Sequence, residues 1–281
     1  MLCCLGDLVE DIAVHRPSGL ARGADTDVEI DRRQGGSAAN VAIAAATSGI
    51  PVRFIGSVGD DAVGAALGAE LERAGVEVCL QRRGRTGTII VLIEPDGDRT
   101  MLRDRGAAAD LDRLPPPGLT GVTWLHVPAY SLVEGSVAAV ARDALHQARN
   151  ASIATSLDVS STSIIEDAGP DAFRLTVGDV APDVVFCNEA EADLLGVGDH
   201  GLGGARLTVV KRGPDPAFAI TDSGERVLAP ARFLGDVTDT TGAGDAFAAG
   251  FIGGRMRGEA ITACLEAGHG RAAALIQSRR P

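Results

Sequence analysis

Short apolar runs recur along this chain, separated by longer stretches rich in alanine and other good helix formers. Leu2–Leu5, Val52–Ile55, Trp124–Val127, Ile153–Leu157, Val184–Cys187 and Leu207–Val210 are dominated by Val, Ile and Leu and bounded by Gly, Pro or Asp. They are predicted as short, fully buried strands. Between them, Ala38–Ser48, Asp60–Ala74, Val133–Ala148, Glu189–Leu195, Asp245–Arg257 and Ala260–Gln277 are predicted as helices, with Gly49, Gly75 and Gly196 as stops. This alternation is that of βαβ units around a mostly parallel sheet, so the fold class is α/β.

Two stretches break the rhythm. Residues 12–34 mix acidic, apolar and basic side chains with glycines, and Thr88–Ile93 and Arg99–Arg103 flank the hairpin signal Glu94-Pro95-Asp96-Gly97-Asp98. Together, about 12–34 and 88–105 are expected to form a small β-sheet lid. No linker is long or polar enough to mark a second domain, so residues 1–281 are read as one.

Composition narrows the chemistry. The chain has 281 residues with 45% hydrophobic and 23% charged, ordinary usage for a globular protein. Among 26 basic residues Lys211 is the single lysine, and it stands between Val210 and Arg212. A Walker A loop is thereby excluded, and nothing resembles a His-Arg-Asp protein-kinase loop. Lysine Schiff-base chemistry is equally poorly provided for. Cys3, Cys4, Cys79, Cys187 and Cys264 are scattered, with no Cys-x-x-Cys pair, and His15, His126, His146, His200 and His269 never approach metal-ligand spacing, which argues against disulfides and structural zinc. A net charge of −12 without a basic stripe excludes nucleic acid as a partner. No apolar run reaches membrane-span length and no secretion signal is evident, so a cytoplasmic protein with no membrane partner is expected.

The segment Asp239-Thr240-Thr241-Gly242-Ala243-Gly244-Asp245 opens a predicted helix. Gly242, Ala243 and Gly244 expose backbone N–H groups at a helix start, a ready anion site. Asp245 is explained by helix capping or, beside an anion-binding turn, by acceptance of a hydroxyl proton during phosphoryl transfer. A second turn, Gly35-Gly36-Ser37-Ala38-Ala39-Asn40, also opens a helix, and the Asn40 amide in an otherwise apolar first turn is well used only if it points at a ligand.

These two motifs, in this order and about 200 residues apart, resemble the paired signatures of the ribokinase-like, or PfkB, carbohydrate kinases. Gly6-Asp7-x-x-x-Asp11, Gly56-x-Val58-Gly59-Asp60-Asp61-x-x-Gly64 and Asn188-Glu189-x-Glu191 add to the match, which spans essentially the whole chain. The resemblance implies a three-layer sandwich with a central, mostly parallel sheet and a small β-sheet lid. It implies that Asp245 is the general base, that Gly242, Ala243 and Gly244 form the anion hole, and that Asp11, Gly35, Gly36 and Asn40 hold sugar hydroxyls. It further implies that Asn188, Glu191, Lys211, Gly213, Gly242, Gly244 and His269 lie at the nucleotide, that Glu191 serves Mg²⁺ through water, and that Asp239 belongs to a loop binding a monovalent cation such as K⁺.

The chain departs from the pattern at Pro216, where relatives carry a second glycine after Lys211-Arg212-Gly213, at Ala108, where they often carry asparagine, and in ending soon after its last helix at Pro281. Gly196-Val197-Gly198-Asp199-His200-Gly201 spells a dinucleotide fingerprint but follows a predicted helix, not a strand. Arg103 and Arg105 read as solvated lid charges. The expected function is ATP-dependent, Mg²⁺-requiring phosphorylation of a small sugar. The alternatives are a nucleoside kinase of the same fold, disfavoured by the absence of aromatics in the lid stretches, or a non-catalytic sugar or nucleotide sensor. Pairing of lids in the family implies a homodimer.

Overall fold

The computed structural model describes residues 1–15, 23–94, 99–231, 235 and 239–278. Part of the 12–34 stretch, the turn at 95–98 and the chain end at 279–281 therefore lie outside the described residues.

In chain order the elements are β1 (Leu2–Leu5), β2 (Val9–His15), β3 (Glu29–Gly35), α1 (Ser37–Ala46), β4 (Val52–Val58), α2 (Ala62–Arg73), β5 (Val76–Arg82), β6 (Thr86–Ile93) and β7 (Arg99–Gly106). There follow β8 (Trp124–Pro128), α3 (Tyr130–Val133), α4 (Val137–Asn150), β9 (Ala154–Asp158), α5 (Thr162–Ala168), α6 (Pro170–Val180), β10 (Val184–Asn188) and α7 (Glu189–Leu195). The chain closes with β11 (Leu207–Lys211), β12 (Ala217–Thr221), β13 (Arg226–Ala229), α8 (Ala243–Met256) and α9 (Ile261–Ser278).

Nine strands form one sheet in the order β13-β12-β11-β10-β9-β8-β1-β4-β5. It is parallel from β5 to β11, and only the β12 and β13 pairings are antiparallel. Because successive side chains point to opposite faces, each strand feeds two cores. Cys3, Leu5, Leu125, Val127, Val185 and Cys187 pack with α3 to α7, while Leu2, Cys4, Trp124, Val184 and Phe186 pack with α1, α2, α8 and α9. All five cysteines are buried and free.

Every predicted strand and helix has a counterpart, with three differences. The expected helix Val133–Ala148 is broken into α3 and α4 at Gly135, whose φ of 77° is outside the helical range. The edge strand β5 and the antiparallel pair β12 and β13 were not anticipated, nor were α5 and α6. Among the described residues no helix is long and apolar enough to cross a membrane.

The remaining strands form a second sheet, in the order β3-β2-β6-β7. Gly36 joins it to α1 with φ 102°, and a Cβ there would stand 2.2 Å from the Asp7 carbonyl oxygen, so this joint between the sheets requires glycine. At the other edge, Asp61 caps α2 by accepting from the Gly64 N–H and also accepts from the Thr86 N–H and hydroxyl, which fixes the start of β6.

Candidate active site

Five adjacent parallel strands, β1, β8, β9, β10 and β11, end at the same edge of the large sheet. Polar residues cluster there, the usual ligand edge of an α/β sheet. Asp7 follows β1, Tyr130 follows β8, and Asp158, Asn188 and Lys211 close β9, β10 and β11. Asn188 and Lys211 are in register with each other.

Helix α8 runs in over this edge. Gly242, at φ 74°, turns the chain into the helix. Of the three N–H groups expected to form the anion hole, that of Ala243 is spent on the Thr240 carbonyl at 3.0 Å. The N–H groups of Gly242, Gly244 and Asp245 come before the first helical bond, from the Ala246 N–H to the Gly242 carbonyl, and lie at the positions where a helix start offers donors. A Cβ on Gly244 would lie 3.3 Å from Lys211 Nζ, so the single lysine stands beside this helix start.

Asp245 is held on both carboxylate oxygens: the Ser37 hydroxyl donates to Oδ1 at 2.7 Å and the Asn40 amide to Oδ2 at 2.8 Å. Gln34 in turn donates to Asn40 Oδ1 at 3.2 Å, fixing the orientation of that amide. Burial raises the Asp245 pKa to about 6, opposed by the Ser37 hydrogen bond and reinforced by Asp158. Capping does not account for Asp245, because its oxygens face α1 rather than its own helix start.

Lys211 Nζ donates to Asp158 Oδ2 at 2.6 Å, and both side chains are largely shielded from solvent. Burial works to lower the Lys211 pKa, but Asp158 and Glu191 outweigh it and the ammonium is held above its ordinary value. Glu191 is buried, and desolvation together with Asp158 raises its pKa to about 7. Asn188 and Glu191 form a capping box: the Asn188 N–H and amide donate to the two Glu191 oxygens at 2.8 Å each, and the Glu191 N–H donates back at 2.9 Å.

On the side of the small sheet, a Cβ on Gly35 would stand 2.1 Å from Asp11 Oδ1, so the Asp11 carboxylate lies directly over this glycine. Asp239 accepts from the Thr241 N–H at 2.8 Å and faces Arg33 at 3.4 Å. Gly213, at φ 57°, forms the open turn after β11. Below Asn40 and Gly242, a cleft of about 320 Å³ runs between α1 and α9.

One lid expectation is corrected. Arg105 is not a solvated charge; it is buried and makes a bidentate ion pair with Asp7, at 2.8 and 2.7 Å, which ties β7 to the end of β1. His269 is buried against Phe247, and its Nε2 accepts from the Ala217 N–H at 3.3 Å, at the start of β12 level with the end of β11 and so at the ligand edge. Two residues that the motif reading did not single out, Asp158 and Ser37, make the closest contacts to Lys211 and Asp245.

The pfkB family carbohydrate kinase model matches residues 1–281. The chain is 33% identical to an ATP-dependent ribose-1-phosphate kinase from Halopiger xanaduensis, over 78% of this chain and 72% of that one. It superposes on a candidate ribokinase II from E. coli with a TM-score of 0.84 and 20% identity, covering 100% and 94% of the two chains. An adenosine kinase from Sinorhizobium meliloti superposes with a TM-score of 0.82 and 22% identity, covering 100% and 95%. The fold is thus the ribokinase-like α/β fold.

Proposed function

The chain belongs to the pfkB family of carbohydrate kinases, and from that premise we propose that it transfers the γ-phosphoryl group of ATP to a hydroxyl of a small sugar, with Asp245 as general base. The observation that carries this reading is the buried Asp245 carboxylate, gripped by Ser37 and Asn40 at a helix start beside Lys211. Above about pH 6 the carboxylate is ionised and can take a proton.

In the transfer, the acceptor O–H bond breaks and its proton goes to Asp245. The oxygen forms a bond to the γ-phosphorus, the bond from that phosphorus to the bridging oxygen breaks, and ADP leaves. The Gly244 and Asp245 N–H groups face the charge developing on the phosphoryl group, and Lys211 supplies a cation beside them. Asp11, over Gly35, and Asn40 offer an acceptor and an amide for vicinal sugar hydroxyls, with Gly36 holding the joint open. Asn188 and Glu191, with Lys211 and the turn at Gly213, face the polyphosphate; His269 holds the start of β12 beside that turn.

Asp158, Glu191 and Asp245 converge with Lys211 as their cation; burial first, and Asp158 after it, raises the Glu191 and Asp245 pKa values. That donor set fits Mg²⁺, which keeps several waters and needs few protein oxygens. Glu191 and Asp158 would hold it, and when bound it neutralises charge on the phosphate oxygens. Asp239 is a poorer fit for K⁺, because Arg33 already faces its carboxylate.

The four-stranded sheet serves as a lid that carries Asp11 on β2 and, when closed over the acceptor, excludes water. Its outer face carries Ile12, Val14, Ile30, Ile90, Leu92 and Leu102 in adjoining register positions, and Ile30 and Leu102 are more than half exposed. This apolar face supports a homodimer formed through the lid. Buried free cysteines accord with a cytoplasmic enzyme. ADP release measured across sugars and nucleosides tests the reading: a sugar should give the highest turnover, and a panel in which no acceptor releases ADP would overturn it.

A further inference from the structure

The segment that leaves the small sheet and opens α1 grips the segment that opens α8 at both of its ends. Ser37 and Asn40 hold the Asp245 carboxylate at the far end. At the near end, Arg33 Nη1 donates to Asp239 Oδ2 at 3.4 Å. Between these anchors lies the turn Gly242-Ala243-Gly244, which aims the N–H groups at the start of α8. The grip at Asp245 orients the general base; the grip at Asp239 acts on the turn itself.

Asp239 shapes that turn from within. Its Oδ1 accepts from the Thr241 N–H at 2.8 Å, the return contact of an Asx turn, and the Thr240 carbonyl then accepts from the Ala243 N–H at 3.0 Å. With one oxygen folded back on the loop, the negative charge of the carboxylate calls for a positive partner on the other. Arg33 stands on that side.

A dissolved monovalent ion or a tethered guanidinium could serve there, and the two exclude each other. An ion entering at Oδ2 would be set against the guanidinium charge at close range. The two side chains are part-buried, at 28% and 32% exposure, so salt screens the pair less than a surface pair. Arg33 is also held from behind, because β3 pairs with β2 along its length, with Arg33 opposite Asp11. A cation carried on the chain is present at every salt composition, whereas a dissolved one must be drawn from solvent.

We propose that Arg33 is the built-in cation of the Asp239 loop: it takes the place of a bound monovalent ion, holds the turn before α8 in shape, and makes phosphoryl transfer independent of K⁺. Arg33 is a positioning residue, acting through Asp239. The inference rests on the kinase reading above and deepens it by naming what orders the N–H groups that meet the phosphoryl charge. Such donors work by being fixed in advance, so loosening the loop should lower kcat more than it raises KM.

The test is ADP release with the preferred acceptor, at constant ionic strength, in the chloride of tetramethylammonium, Na⁺, K⁺ or Cs⁺. The parent kcat should agree within about threefold across the four salts. Arg33→Ala should lower kcat in tetramethylammonium about thirtyfold, with smaller changes in KM. Part of that loss should return on adding K⁺ or dilute guanidinium, either of which can fill the vacated place, and Arg33→Lys should lose less than Arg33→Ala. Circular dichroism establishes that each variant is folded, and the salt comparison on the parent decides the matter even where Arg33→Ala does not fold. Activation of the parent by K⁺ beyond about threefold over tetramethylammonium overturns the proposal while leaving the kinase reading standing. So does a folded Arg33→Ala variant with the parent kcat, or with a loss that neither added cation relieves. A parent that releases ADP with no sugar or nucleoside in any of the salts overturns both.

Discussion

The Ser37 hydroxyl donates to Asp245 Oδ1 at 2.7 Å and so joins the first turns of α1 and α8. Two glycine-bearing turns, far apart in sequence, are thereby one device: the first supplies the donors that orient the carboxylate opening the second. Asn40 completes the grip on the other oxygen.

This grip sets a pH dependence. Burial holds the Asp245 pKa raised at about 6, and the Ser37 hydrogen bond acts to lower it. Because the ionised form is the base, kcat/KM should rise with pH through about 6 and level off above. Ser37→Ala removes a stabiliser of the anion, so the rising limb should move to higher pH, with the plateau less affected. A profile that falls uniformly without shifting would contradict the role given to Ser37.

The same raised pKa bears on stability. A carboxyl raised above its ordinary value of 3.8 favours the folded state when protonated. That contribution is complete below 3.8 and is lost as pH rises through about 6. Thermal melts of Asp245→Asn and the parent should therefore diverge in the variant's favour between about pH 4 and pH 7. A constant difference in Tm across that window would show that Asp245 is not desolvated as described.

Lys211 and Asp158 form a buried pair at 2.6 Å. Lys211→Met leaves the buried Asp158 carboxylate without its cation, with the Ser160 N–H still on Oδ1, and should cost about 3 kcal/mol in denaturant unfolding. Adding Asp158→Asn should recover much of that loss without restoring activity. If the double variant is no more stable than the single one, the pair is not the unit described here.

His269 accepts from the Ala217 N–H and packs edge-on against Phe247. Its replacement by alanine orphans a buried donor and should destabilise the protein by about 1–3 kcal/mol. Because Ala217 begins β12 just after the turn at Gly213, the KM for ATP should rise as well. Lost stability with an unchanged KM would remove His269 from the nucleotide site.

The outer lid face gives a prediction about assembly. Sedimentation should find a dimer, and Leu102→Asp, which sets a charge among Ile12, Ile90 and Ile30, should dissociate it. A monomeric parent protein would remove the lid from the interface.

What could be read from the sequence followed from how strong each local signal was. The central strands announced themselves because both faces are buried, leaving unbroken apolar runs such as Leu2–Leu5 and Val184–Cys187. Strand β5 did not, since only Val76 and Cys79 are buried and the polar residues among them leave Val-Glu-Val-Cys-Leu-Gln-Arg without a continuous run. Helices α5 and α6 bury few positions, chiefly Ile164, Ile165, Phe173, Val177 and Val180, too sparse to stand out. At the site, the glycine turns were legible because few other uses suit them. Asp158 passed as the polar stop of a strand and Ser37 as filler in a turn, and their roles arise from tertiary contacts with Lys211 and Asp245 that no local pattern encodes. The burial of Arg105 has the same origin: its partner, Asp7, follows β1 at the edge of the large sheet, far away in sequence.

The most direct test of the whole account is single-turnover phosphoryl transfer by Asp245→Asn, using whichever acceptor the parent enzyme prefers. Asparagine keeps the size of the side chain but cannot take the hydroxyl proton. The account predicts a rate at least about a hundredfold lower, with the variant folded and ATP still bound. A folded variant transferring phosphate at near the parent rate would contradict it.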